Sequence, residues 1–245
     1  MWPYGTVATL QWLDKFGVYR QLADRYVRSG WLERIGSGAY VKSGDETGFF
    51  GAVYALQVLC GKDVHPGGKT ALGLNGYAHF LPVDLKQYKT ELYLGERVGL
   101  PLWFHRQQWA KNTEFITAGL FSPGEKAGLS EYDFGSYRMN ISSSERAMVE
   151  LCYRVSEKAG YDEAYYIMQG LNTLRPGVLS DLLEKCRSIR VKRLFLHMAE
   201  ACGHDWIKKI DSGRIFLGKG ARQFYKGGVY DKKYKITVPE NNYER

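Results

Sequence analysis

The stretch spanning residues 9–42, TLQWLDKFGVYRQLADRYVRSGWLERIGSGAYVK, constrains this chain more than any other. Thr9 is placed to cap a short helix carrying Leu10, Leu13 and Phe16 toward a core. Gly17 breaks that helix, because glycine accepts the positive φ of a sharp interhelical turn. The spacing predicts a second helix over residues 19–29, with Val18, Leu22, Tyr26 and Val27 turned inward. Tyr19 opens it, and its other face carries Arg20, Gln21, Asp24, Arg25 and Arg28. Gly30 stops it. Residues 31–35 and 39–42 are β-prone runs joined by Gly36-Ser37-Gly38, the pattern of a hairpin.

Helix, glycine turn, basic helix and hairpin in that order predict a winged helix-turn-helix. The physical reason is groove size: a helix fits the DNA major groove, where Arg and Gln meet base edges with paired hydrogen bonds. Tyr19, Arg20, Gln21, Asp24, Arg25 and Arg28 are the candidate groove residues. Arg34, Ser37 and Lys42 are the hairpin residues placed to meet phosphate or minor groove. Two rival readings use the same residues: a small helical subdomain with solvated charges, and a protein–protein module. A winged helix normally carries a helix ahead of the Thr9 helix. Residues 1–7 leave little room for it, so either the start is truncated or later residues supply that helix.

The remainder predicts an α+β chain divided at residues 85/86. In the first part, helices over residues 49–60 and 69–80 complete the N-terminal domain, with Pro82 ending the second. Gly68-Lys69-Thr70 looks like the end of a phosphate-binding loop, but the required earlier glycine is Asp63, and a carboxylate there repels phosphate. In the second part, residues 87–95, 100–107 and 113–121 read as strands of a small sheet, and 137–141 as one more. Ser142 and Glu145 stand in capping-box spacing before a helix. Further helices over residues 161–171, 178–186 and 191–202 predict a helical bundle packed on the small sheet, a mixed α/β C-terminal domain. Residues 214–217, 223–225 and 234–238 read as a closing β segment, followed by a frayed polar tail from residue 239.

Charge is unevenly spread, and most of the positive excess lies in the C-terminal part, not in the candidate reading helix. The net charge is +8. Residues 1–45 hold 6 Lys and Arg against 4 Asp and Glu, giving +2; residues 46–136 hold 8 against 9, giving −1; residues 137–245 hold 20 against 13, giving +7. A basic balance favours polyanionic partners through counterion release. The C-terminal cations include Lys192, Arg193, Lys208, Lys209, Arg222 and Lys226, with Tyr225, Tyr230 and Tyr234 interleaved. They suit a nucleic-acid- or protein-binding surface, or else are solvated faces with Arg187 and Arg193 paired to Asp181 and Glu184. The scattered Cys60, Cys152, Cys186 and Cys202 read as buried reduced thiols. His197, Cys202 and His204 fit no zinc spacing, so no metal and no cofactor are expected. No nucleophile elbow, metalloprotease motif or complete phosphate loop is present, so the chain does not read as an enzyme. No secretory signal or membrane-length apolar run is seen, and a cytoplasmic protein is expected.

Several short runs together carry a resemblance. They are Gly5-Thr6-Val7, Arg20-Gln21-Leu22, Ser29-Gly30-Trp31-Leu32-Glu33 and Gly38-Ala39-Tyr40 in the first part. In the second they are Ser144-Glu145-Arg146-Ala147, Gly170-Leu171, Thr173-Leu174-Arg175-Pro176, Val191-Lys192-Arg193-Leu194-Phe195-Leu196, Gly203-His204, Lys226-Gly227-Gly228 and Ile236-Thr237-Val238-Pro239. In order and spacing the chain resembles the AbiEi-type antitoxins, transcriptional regulators of type IV toxin–antitoxin (abortive infection) systems. The resemblance implies a DNA-binding N-terminal domain that binds inverted repeats in its own promoter and represses it. It also implies a C-terminal domain that neutralises a nucleotidyltransferase-like toxin without a stable complex. One departure from the pattern is Tyr19, standing where a Ser would cap the reading helix better.

Overall fold

The computed structural model describes residues 1–78 and 89–240. The expected helix end at Pro82, the start of the strand at residue 87, the boundary at 85/86 and the tail beyond residue 240 lie outside these. The described residues form a mixed α+β chain with small sheets. They pack as two compact units, neither contiguous in sequence: Met1–Pro66 with Gln87–Thr117 and Ser130–Ile141, and Gly67–Lys86 with Ala118–Leu129 and Ser142–Arg245.

The first unit opens with β1 (Ala8–Thr9), α1 (Leu10–Asp14), α2 (Arg20–Arg28), β2 (Leu32–Gly36) and β3 (Ala39–Lys42). The strands form one antiparallel sheet in the order β1-β3-β2, with Ala8 opposite Tyr40 and Leu32 opposite Lys42. Thr9 caps α1 by accepting from the Trp12 backbone N–H at 3.3 Å. Gly17 sits at φ +78°, the left-handed conformation that the α1–α2 turn requires. Ala8, Leu13, Ala23, Leu32 and Tyr40 make a small core, joined by Trp2, Leu10, Trp12, Val18 and Val27. Phe16, expected inward, is exposed, because α1 ends at Asp14 and the chain has already turned outward; its ring leans on Trp12 at 4.7 Å. Tyr26 is likewise at the surface.

Next come α3 (Phe49–Tyr54), which runs on as a π-helical turn over Ala55–Leu59, and β4 (Val64–Pro66). Gly51 lets α3 touch the residues ahead of β1: a Cβ there would lie 1.9 Å from the Gly5 carbonyl oxygen. That neighbour is backbone and cannot swing away. Gly51→Ala is therefore expected to cost about 1–3 kcal/mol by forcing the helix off its seat, read as a lower urea midpoint.

In chain order there follow α4 (Gly68–Leu72), continued by a π-helical turn over Gly73–Tyr77, β5 (Thr90–Leu94), α5 (Leu102–His105), α6 (Gln108–Lys111), β6 (Thr113–Thr117), β7 (Leu129–Asp133) and β8 (Arg138–Ser142). Strands β4, β5 and β6 form a sheet in that order, antiparallel then parallel, and β7 pairs with β8. One expectation is corrected here. Residues 100–107 are not a strand: Pro101 and Gln107 each sit in extended backbone just ahead of a short helix. Residues 129–133, to which the sequence assigns no element, form β7. In the two compact units, α4 falls in the second and β5 and β6 in the first.

The second unit is built from α4, α7 (Ser144–Arg154), α8 (Lys158–Gly170), α9 (Pro176–Lys185) and α10 (Ile189–Ala201), then β9 (Arg222–Gln223), β10 (Val229–Asp231) and β11 (Ile236–Val238) in the order β10-β11-β9. Pro176 opens α9 instead of separating it from α8, because the first helical position needs no backbone N–H. The N-cap lies one residue later than expected, and no capping box forms, because the residue at its third helical position is Arg146. Ser143 caps α7, accepting from Arg146 N–H at 3.4 Å, while Ser142 Oγ donates to Glu150. Met148, Cys152, Ile167, Leu182, Leu194 and Phe195 form the shared core, onto which Phe224, Tyr234, Ile236 and Val238 pack. The sheet that carries the helices is thus the C-terminal one. Residues 214–217 form no strand; Ser212–Arg214 is a 3-10 turn capped by the Asp211 carboxylate, which accepts from Gly213 N–H.

Candidate nucleic-acid interface

The α2 helix presents its charges by simple periodicity. Ala23 is buried and Leu22 and Val27 are half-buried. Positions 21, 25 and 28 recur at i, i+4 and i+7, on the opposite side. Gln21, Arg25 and Arg28 are all exposed, as are Arg20 and Tyr19 at the start of the helix. Arg20, Arg25 and Gln21 enter no ion pair among the described residues. Arg28 Nε donates to the Asp24 carbonyl at 3.4 Å, which leaves its terminal amino groups uncommitted by that bond. Tyr19 gives the helix no side-chain cap.

The remaining candidates are engaged within the unit. Asp24 on α2 accepts from Arg34 on β2, an ion pair that ties helix to hairpin. The Arg34 guanidinium also lies 5.5 Å from the Tyr40 ring centre. Lys42 is half-buried, donates to the Trp2 carbonyl at 2.7 Å and sits 5.4 Å from the Trp2 ring. Lys42 therefore holds the amino-terminal segment rather than projecting outward. Ser37 is exposed at the hairpin turn, and the neighbouring Gly38 carbonyl accepts from Leu10 N–H at 2.8 Å. Beside the C-terminal end of α2 lies a cavity of about 760 Å³, lined among others by Trp2, Val18, Tyr26, Trp31 and Leu32. Trp31 is 74% exposed at its rim.

In the second unit the predicted basic surface divides. Lys208, Lys209, Arg222 and Lys226 are exposed, with Lys208 paired to Asp205 at 3.1 Å. Lys192 and Arg193 are not surface residues: they are 4% and 1% exposed. Lys192 donates to the Glu184 and Phe216 carbonyls, both at 3.3 Å, and burial pulls its ammonium below the usual lysine range. Arg193 donates to the carbonyls of Leu217, Gly218, Gly220 and Lys235. The reason is the helix they ride on: α10 is apolar on nearly every side, so its cations are enclosed and must find carbonyl partners.

Other sequence candidates resolve into structural contacts. Gly68 N–H donates to Glu150 at 3.0 Å and Lys69 pairs with Glu163 at 3.1 Å, so carboxylates occupy the places a phosphate would take in a nucleotide loop. His197 lies between Tyr161 at 3.1 Å and Asp231 at 2.6 Å, whereas His204 meets the Met168 carbonyl at 2.7 Å. The four cysteines are free thiols; Cys152 and Cys186 are buried, Cys60 and Cys202 half-buried.

Comparison with known families places the chain among transcriptional regulators. Residues 87–239 match a family described as "Transcriptional regulator, AbiEi antitoxin, Type IV TA system". Residues 1–83 match "Transcriptional regulator, AbiEi antitoxin N-terminal domain". The chain belongs to the AbiEi antitoxin family of type IV toxin–antitoxin systems, whose description is regulatory. Comparison with curated proteins gives no match. Among solved structures it is similar to the RV2827C protein from Mycobacterium tuberculosis, with 14% identity and a TM-score of 0.58, over 94% of this chain and 85% of that one, a likeness of fold alone. Among the described residues no helix is long and apolar enough to cross a membrane.

Proposed function

We propose that the first unit is a winged helix-turn-helix that binds double-stranded DNA at inverted repeats in its own promoter and represses it, and that the chain counteracts a nucleotidyltransferase-like toxin. The observation that carries the DNA half is the outward stripe of Gln21, Arg25 and Arg28 on a helix braced by a three-stranded sheet. The helix order β1, α1, α2, β2, β3 is the one that places a reading helix beside a β-finger. The helix normally found ahead of this arrangement has a counterpart in α3, which follows the hairpin in sequence yet seats against Gly5.

Arg25→Ala is expected to weaken promoter binding by about 1–3 kcal/mol, roughly 5- to 150-fold, and to relax sequence preference. Mobility shifts on the upstream promoter and on a scrambled duplex measure both; unchanged affinity and preference remove Arg25 from the interface. The toxin half rests on the family and on the exposed cations Lys209, Arg222 and Lys226. Charge reversal at those three should abolish rescue from the toxin while sparing promoter binding. Survival of rescue places the antitoxic surface elsewhere.

A further inference from the structure

The side chains that share the outward face of α2 differ in chemistry, and that difference bears on which bases they meet. Asp24 is the one carboxylate on the helix, and it would accept from a cytosine amino group if it were available. Its Oδ1 is engaged by Arg34, which ties it to the hairpin. The same ion pair withdraws Arg34. What remains at i, i+4 and i+7 is one amide, Gln21, and two guanidiniums, Arg25 and Arg28, all exposed.

Geometry then limits the footprint. Seven residues of α-helix rise about 10 Å, which is about three base pairs of B-DNA. Within such a window each guanidinium pairs best with guanine, donating two N–H groups to O6 and N7. The glutamine amide pairs best with adenine, accepting from the N6 amino group and donating to N7. Arg28 keeps its terminal amino groups for this although its Nε is held by the Asp24 carbonyl.

Resting on the proposed reading of α2 as a DNA-contacting helix, we infer that the half-site recognised by this chain holds two G·C pairs and one A·T pair within about four base pairs. Gln21 selects the A·T pair, Arg25 and Arg28 select the G·C pairs, and Asp24 is a positioning residue that fixes the hairpin against the helix and reads no base. Arg20, at the flank of the stripe beside the helix start, contributes charge toward phosphate.

The test is selection from a randomised duplex library using the full chain and the variants Gln21→Ala, Arg25→Ala and Asp24→Ala, followed by binding titrations on single-base variants of the selected site. The wild-type motif should contain the three pairs within the stated window. Gln21→Ala should lose about tenfold of the A·T preference and leave the G·C positions unchanged. Arg25→Ala should lose about tenfold or more at one G·C position only. Asp24→Ala should weaken binding yet return the same motif. A wild-type motif without G·C pairs in the window, variants that weaken all sequences equally, or a motif changed at one position by Asp24→Ala would each overturn the inference while leaving DNA binding intact. Failure of the wild-type chain to bind any duplex would overturn the DNA reading as well.

Discussion

Arg193→Ala is expected to lower the unfolding free energy by about 3–5 kcal/mol, the largest loss of any single side chain discussed above. Arg193 is 1% exposed, and its guanidinium gathers four carbonyls: Leu217 at 2.8 Å, Gly220 at 2.7 Å, Lys235 at 3.0 Å and Gly218 at 3.1 Å. Those carbonyls lie on segments that make few regular backbone pairs, so α10 supplies the hydrogen bonds a longer sheet would otherwise provide. Truncation strands the Leu217, Gly218 and Gly220 acceptors, while the Lys235 carbonyl keeps the Arg222 N–H at 2.9 Å, and it empties the buried volume that the guanidinium fills. Arg193→Lys should retain most of the loss, since one ammonium cannot span four oxygens. Urea unfolding followed by tryptophan fluorescence measures the change. A midpoint within error of wild type for Arg193→Ala would show that the carbonyls find water and that the clamp is dispensable.

The contrast between Arg25 and Arg193 shows which parts of the molecule are legible in sequence. Arg25 sits in a pattern where apolar and charged positions alternate at helical period, so its outward placement follows from spacing alone. Thr9 and Gly17 are similarly local: a hydroxyl three residues before an N–H and a glycine where φ must be positive. Lys192 and Arg193 lie in Val-Lys-Arg-Leu-Phe-Leu, where apolar residues on both flanks leave no polar face. That continuity was the available sign of enclosure, but apart from the Glu184 carbonyl, 8 residues from Lys192, the carbonyls that receive them lie 24–42 residues away and carry no side-chain signature. The Asp24–Arg34 pair is invisible for the same reason: it joins a helix to a strand across ten residues, and nothing in either segment marks the other. The expected N-cap missed by one position because Ser142, Ser143 and Ser144 are interchangeable to a pattern, whereas the backbone selects Ser143. Strands of two or three residues, such as β9 and β10, lie below the length at which alternation can be seen.

Glu145 gives the second large effect, and it depends on pH. Its carboxylate is buried near the start of α7. Burial alone would raise its pKa, but the Arg175 guanidinium, the Arg175 backbone N–H and the Ser143 side chain outweigh burial and bring it down to about 2 from an ordinary 4.5. Arg175 Nε and N–H both reach Oε1 at 2.9 Å, and Nη2 reaches Oε2 at 2.9 Å, a bidentate pairing. A carboxylate whose folded-state value is depressed adds stability above its unfolded value and loses that stability as pH falls toward the folded one. The Glu145 contribution is therefore complete above about pH 5 and fades between about 4.5 and 2, with a size of about 3 kcal/mol. Glu145→Gln removes the ionisation while keeping the shape. At neutral pH the variant should unfold at lower urea than wild type, and the gap between them should close steadily as pH is taken down through that window. Arg175→Ala should give a smaller acid-limb change and a smaller neutral-pH loss than Glu145→Gln, because Arg175 is mostly exposed and Glu145 keeps the helix N-terminus and Ser143. Parallel stability curves for wild type and Glu145→Gln from pH 7 to pH 2.5 would show that the carboxylate is not held by this pairing.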